Sequence, residues 1–291
     1  TVIVGTFRGA LDTVTPLRAV LLQTIVNILL DSLLVFGCPA LHIPAMGVQG
    51  AAIATTLSVW VSCFFSLFLL NQRALVSWQA TTTWWQTFGE MGTLLSGSLS
   101  QLGRTFALQV VLVQFTRIVT GLDASGLSAA AHQIGLRIWF FALFALDSIA
   151  VAAQGLVPTG AKEGGVRRAR SVALRTLFWG FAGGTLSGLL LAVGADWAVA
   201  AFTDDIQVRA AARPLVYIVA ASQPLAGLVF TWDGIFQGLT DYTYLAVAMV
   251  LASATTLLAL QFDALSGSLL GVWVCFVLFL GLRGIGLAWR W

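Results

Sequence analysis

Apolar stretches of about 20 residues, the length that crosses a ~30 Å hydrocarbon core, recur from one end of this sequence to the other. Nothing else in it restricts the fold so severely. A backbone in lipid must satisfy its own N–H and C=O groups, which leaves helices and closed barrels. Runs this long, with no strict alternation of polar and apolar residues, select helices. Composition agrees: 58% of the 291 residues are hydrophobic and 9% charged, whereas a soluble domain carries about 25% charged residues. Too few charges remain to face water, and a single anchor is excluded. The reading is an all-α integral membrane protein with about eight transmembrane helices.

Bounded by Gly, Pro, charged and polar clusters, the spans fall near 14–36, 47–70, 93–120, 128–157, 174–200, 214–236, 242–262 and 267–288. The stretch 73–92 is longer and more polar than the other connections and reads as a linker between lobes. It separates residues 1–72, with two spans, from 93–291, with six. Lys and Arg collect in cytosol-side loops, and alternate connections here hold Arg8, Arg18, Arg73, Lys162, Arg167, Arg168, Arg170, Arg175, Arg283 and Arg290. The opposite side offers Arg209 and Arg213. That partition fixes the orientation and supports the span count. It also accounts for the net charge of +3, so nucleic acid is not an expected partner. Cys38, Cys63 and Cys275 lie far apart, with no metal-ligand spacing and no pairing that the sequence demands. Neither HExxH, nor a Ser/His/Asp constellation, nor a phosphate-binding loop is present, which argues against an enzyme.

An internal repeat is visible. Gly5-Thr-Phe-Arg-Gly-Ala-Leu-Asp12 aligns with Gly234-Ile-Phe-Gln-Gly-Leu-Thr-Asp241, matching Gly, Phe, Gly and Asp at identical spacing. Both copies fall on the same membrane side, as a parallel duplication requires. The second copy follows the fourth span of a six-span half. Equivalent halves would place four further spans ahead of Thr1 and twelve in the intact protein, and Val2 to Gly5 read as the tail of one of them.

Arg8-Gly-Ala-Leu-Asp-Thr-Val-Thr-Pro16, Asn27-Ile-Leu-Leu-Asp31 and Gly47-Val-Gln-Gly-Ala-Ala-Ile-Ala-Thr55 resemble the fourth-to-sixth-helix region of multidrug and toxic-compound extrusion (MATE) transporters. Ala131-His-Gln-Ile, Leu146-Asp147, Ala153-Gln154-Gly155 and Asp233-Gly-Ile-Phe-Gln-Gly238 resemble the DinF-like branch of that family, which includes plastid members. Each motif is loose, but their order and spacing together are specific. The resemblance implies part of a twelve-helix, two-lobed, V-shaped exporter that exchanges a proton or sodium for a small organic substrate by rocking its lobes. It implies no cofactor beyond that ion, and a monomer in lipid, in a plasma membrane or plastid envelope. The family's first four helices are absent, with the acidic residue this branch places on its first helix. Two helices cannot close a lobe, so the chain alone is not expected to transport. The readings weighed against this one are a lipid-linked oligosaccharide flippase of the same superfamily and a non-transporting truncated paralogue or scaffold.

Gln23, Asn27 and Asp31 share one helix face. A carboxylate in a bilayer is disfavoured by about 2.5–3.5 kcal/mol at the centre, so it normally faces a bundle interior or a water-filled cavity. By resemblance, Asp31, Asn27 and Thr55 match positions of the N-terminal lobe's cation site, a carboxylate, amide and hydroxyl set suited to a hard cation. The alternative is that Asn27 and Asp31 lock helix packing, and that Thr55 bonds its own helix carbonyl. In the second lobe Arg104 and Asp147, with Gln101, Gln109, Gln114 and Gln154, are candidates for a substrate path or an inter-helix polar pair. Ala226 stands where another branch carries an acid, so no second cation site is expected. His132 and Gln133 read as packing or capping, with a proton relay as the weaker reading. The arginines of 167–170 read as topology signals that meet anionic headgroups. The GxxxG pairs Gly5/Gly9, Gly184/Gly188 and Gly234/Gly238 read as packing or hinge elements.

Overall fold

The computed structural model describes residues 7, 12, 14–37, 44–72 and 84–291, the side chains of 84–90 and 93–94 aside. Gly5, Arg8, Gly9, Cys38, Arg73 and residues 73–83 of the linker lie outside the described residues. The described chain is helical almost throughout and falls into two compact units, Thr1–Trp84 and Trp85–Trp291.

The first unit is a hairpin of α1 (Val14–Phe36) and α2 (Gly47–Gln72). Its register is set by Met46 N–H donating to Leu34 O at 2.9 Å and by Ser62 Oγ donating to Ala19 O at 3.1 Å. Gly50, Ala54, Ser58, Ser62 and Ser66 are buried at four-residue spacing on α2. Small side chains there let the two backbones approach, which is how helices associate where lipid removes the hydrophobic driving force. The opposite faces, with Leu17, Leu21, Ile28, Trp60 and Phe64, are exposed, as lipid contact requires.

In the second unit α3 (Trp84–Thr120) starts well before the expected residue 93. Its first turns are polar enough to read as linker, yet they hold no proline, and the stretch apolar enough to cross a bilayer is Leu95–Thr120. The run Leu127–Val193 is unbroken by label, but 67 helical residues would measure ~100 Å, about three hydrocarbon thicknesses. It folds back at Gly164 and Gly165, whose backbones are non-helical, Gly165 with φ 65°. This elbow gives α4 (127–163) and α5 (166–193). Their pairing is antiparallel, because Gly160 packs on Ala169 and Gly183 on Ile149. The remaining elements are α6 (Ala195–Ala200), α7 (Ile206–Gly238), α8 (Tyr242–Ala259), α9 (Asp263–Ser266) and α10 (Leu269–Arg290). Seven runs are long and apolar enough to cross a bilayer, and the elbow turns them into eight crossings among the described residues.

Helix direction alternates as the loop charges require. Gly184 and Gly188 on α5 lie against the backbone carbonyls of Gln223 and Ala220 on α7, an antiparallel contact. Gly234 and Gly238 on α7 lie against the carbonyls of Ala150 and Gln154 on α4, a parallel one. Both glycine pairs are sites of close backbone approach. A buried core cluster of this unit is rich in aromatic side chains, with Phe115, Trp139, Trp273 and Phe276. Asp123 starts α4, accepting from Leu127 N–H at 3.0 Å and Ser128 N–H at 2.9 Å. Hydrogen bonds from Ser128 first, and then Ser125, hold its carboxyl well below the usual carboxylate range.

The internal repeat persists as backbone geometry. Asp12 N–H donates to Phe7 O at 2.9 Å, and Asp241 N–H donates to Phe236 O at 3.0 Å. These are equivalent pairs, and Phe7 and Phe236 are both buried. Side-chain roles have diverged. Asp12 caps α1 through Thr15 N–H and the Thr15 hydroxyl, whereas Asp241 pairs with Arg290 at 3.3 Å.

Candidate functional site

In the first unit, Gln23, Asn27 and Asp31 stand on the half-buried side of α1 while Ile25, Ile28 and Leu29 are exposed. Asp31 lies five residues from the end of α1, about 7 Å inside it. Its Oδ1 and the Nδ2 of Asn27 are buried and take no hydrogen bond among the described residues. Groups so placed lose their water without replacement, at about 1–3 kcal/mol each and more when charged. The hairpin register puts Thr55 level with Asn27, but its side chain is exposed and its hydroxyl donates to Ala51 O at 2.9 Å. The oxygen keeps lone pairs that can accept a cation.

The second unit holds a buried charge cluster that the sequence reading did not assemble. Arg104 on α3 does not meet Asp147, which is exposed. Its guanidinium donates instead to Asp233 Oδ2 on α7 at 2.8 Å. Arg283 on α10 donates to the same oxygen. Arg283 and Asp233 are each 3% exposed, so one carboxylate joins three helices in a nearly dry setting. Phe230 and Phe279 flank Arg283, with ring centres 5.3 and 5.7 Å from its guanidinium carbon. Gln101 accepts from Arg104 at 3.4 Å, and the Nε of Arg104 has no hydrogen-bond partner among the described residues. Arg283 therefore leaves the set of loop charges: it sits within α10, seven residues and about 10 Å from the helix end.

Depth explains why the three residues meet. On alternating helices α3 begins, and α7 and α10 end, on the basic side, so residues 104, 233 and 283 reach similar heights. The signal for Asp233 was an acid inside the apolar run 214–236, the same signal that singled out Asp31. Gln109 is exposed and Gln154 half-buried, and neither joins the cluster. His132 is buried, its Nε2 3.4 Å from the Thr116 hydroxyl and its ring edge-on to Trp273, with Nδ1 making no hydrogen bond among the described residues. Gln133 is exposed, and Ala226 is buried in the core as an apolar residue.

Long apolar helices in each unit, a duplicated turn and charges held inside the second unit define a polytopic helical membrane protein. The chain belongs to the MatE family, whose model matches residues 102–263. Protein DETOXIFICATION 44, chloroplastic, of Arabidopsis thaliana is 35% identical over 289 residues, covering 98% of this chain and 52% of its own length. DNA damage-inducible protein F of Escherichia coli K12 is 27% identical over 306 residues, covering 100% of this chain and 61% of its own length. The chain thus spans about half the length of the curated plant relatives it matches. A MATE protein in complex with MaL6 superposes with a TM-score of 0.81 at 18% identity, over 97% of this chain and 63% of that one. The MATE transporter ClbM in complex with Rb+ gives 0.77 at 22% identity, over 99% and 62%. The solved relatives establish the fold.

Proposed function

We propose that this chain forms the greater part of a cation-coupled exporter, in which proton or sodium exchange at Asp31 drives organic small molecules outward as two lobes rock. The observation that carries the reading is two buried atoms on one face of α1, Asp31 Oδ1 and Asn27 Nδ2, that take no hydrogen bond among the described residues. A carboxylate with no hydrogen-bond partner among the described residues, in a span, is poised to take a proton or a metal cation, and Thr55, level with Asn27 one turn away, is a further oxygen donor. ClbM, of similar fold, was solved with a monovalent cation, which agrees with an ion as the coupling partner. In the second unit, Asp233 ties α3, α7 and α10 together, the bracing a lobe needs in order to move as one body.

The test is dye uptake into proteoliposomes holding the full-length protein under an imposed proton or sodium gradient. Asp31→Asn should abolish gradient-driven uptake while purifying as a folded protein with unchanged helix content. Native uptake by Asp31→Asn, or indifference of the native protein to both gradients, would sink the reading.

A further inference from the structure

The elbow between α4 and α5 carries five cations in fourteen residues, Lys162, Arg167, Arg168, Arg170 and Arg175, against one acid, Glu163. Glu163 is committed to Arg168 at 2.9 Å. Beside that pair lies an open cleft of about 540 Å³ lined by Gly164, Arg167, Arg168, Ser171, Val172 and Arg175. Arg167, Ser171 and Arg175 stand four residues apart, on one face of the first turns of α5. Neither Arg167 nor Arg175 has an ion pair among the described residues. The same helix continues directly into an exposed apolar strip of Leu174, Phe178, Trp179 and Phe181. Phe178 and Trp179 pack edge to face, their ring centres 5.8 Å apart. Trp179 begins about 6 Å beyond Arg175 along the axis.

We infer that this cleft is a binding site for an anionic phospholipid, its phosphate held by Arg167, Arg175 and the Ser171 hydroxyl, its acyl chains lying along Leu174, Phe178 and Trp179. Two guanidiniums and a hydroxyl on one face supply several donors to an oxyanion, and guanidinium forks match phosphate geometry. A free phosphate would use the cleft and leave the strip unused. An amphiphile uses both, and the basic side of the protein is where anionic headgroups collect. The glycine elbow is what exposes the cleft: at Gly164 a β-carbon would collide with the Arg168 stem, so the turn is tight and α5 starts with its basic face clear.

Native mass spectrometry of the full-length protein, delipidated in detergent and titrated with dioleoylphosphatidylglycerol or dioleoylphosphatidylcholine, tests this. One phosphatidylglycerol should be retained in clear preference to phosphatidylcholine. Arg167→Gln/Arg175→Gln should weaken it by about thirtyfold, from roughly 1 kcal/mol per arginine. Lys162→Gln/Arg170→Gln, which removes the same charge from outside the cleft, should leave the preference within about threefold, less than one such arginine contact. Equal retention of the two lipids, or equal loss in both double variants, overturns the site. Full displacement of the lipid by millimolar inorganic phosphate assigns the cleft to a soluble oxyanion and also overturns it. None of these readouts requires transport, so they stand apart from the exporter reading.

Discussion

Replacing Asp233 by Asn removes the acid that faces the half-buried guanidinium of Arg104 and the buried one of Arg283, with little change of shape. At 2.8 Å and an effective dielectric constant of ~20, a single guanidinium and carboxylate attract by ~6 kcal/mol. Desolvation offsets most of that in the intact cluster, but not in the variant, which keeps the buried cations and loses their counter-charge. Breaking a buried pair in this way destabilises by about 3–5 kcal/mol. Arg104 shares the load unequally, since its side chain is 18% exposed and that of Asp233 5%. Arg104→Gln also lowers the net charge of the cluster from +1 to zero, so it should cost less, about 1–3 kcal/mol. The decisive variant is Asp233→Asn/Arg283→Met. Deleting the better-buried cation along with the acid removes one of the two unpaired charges and leaves the more exposed Arg104, and an apolar replacement of a buried ion pair is often near neutral. Unfolding of the full-length protein in detergent, followed by tryptophan fluorescence, should rank Asp233→Asn as least stable and show partial recovery in the double variant. If adding Arg283→Met deepens the loss, the cluster is not held together by charge balance and the argument fails.

Gly234→Leu places a side chain against the Ala150 carbonyl, backbone that cannot step aside, and should destabilise by about 1–3 kcal/mol or more. Gly281→Ala on α10 has open space around it and should stabilise by about 0.5–1 kcal/mol; the two together, read by the same unfolding assay, test the close α4–α7 approach. Thr55→Val keeps shape and removes the hydroxyl oxygen, so sodium-driven or proton-driven uptake should fall several-fold while stability holds; native uptake would remove Thr55 from the ion site. Asp123 has a depressed carboxyl, so the stability its capping adds is present in full above its unfolded value, pH ~4, and is lost as pH falls from there through the lower folded value. Hydrogen exchange at residues 127–130 should show lower protection at acid pH in the native protein, and Asp123→Asn should flatten that dependence.

Most of the architecture was legible because lipid imposes a length on each span, and length survives in sequence. The eight expected spans match the eight crossings, and the alternation of basic loops anticipated the helix directions that the glycine contacts display. The start of α3 was missed since helix can continue beyond the bilayer, where apolar length no longer marks it. The partner of Arg104 was missed for a different reason. Asp147 lies on the next helix and Asp233 is 129 residues away, and sequence proximity says nothing about which helix faces which. Thr55 shows the limit of periodicity: its height on the hairpin was inferable, but its direction depended on which stripe of α2 was small enough to bury.

The duplicated turn has a consequence for how such a molecule can diversify. Each copy is closed by a peptide N–H reaching a peptide carbonyl, so the bend survives whatever its aspartate is recruited to do. One copy has kept that carboxylate as a helix starter and the other has tethered it to the final helix. Evolution could therefore rewire either copy without unmaking its corner, and the helices beyond each were free to acquire unequal electrical character: a half-buried acid on α1, a cation-rich knot around Asp233.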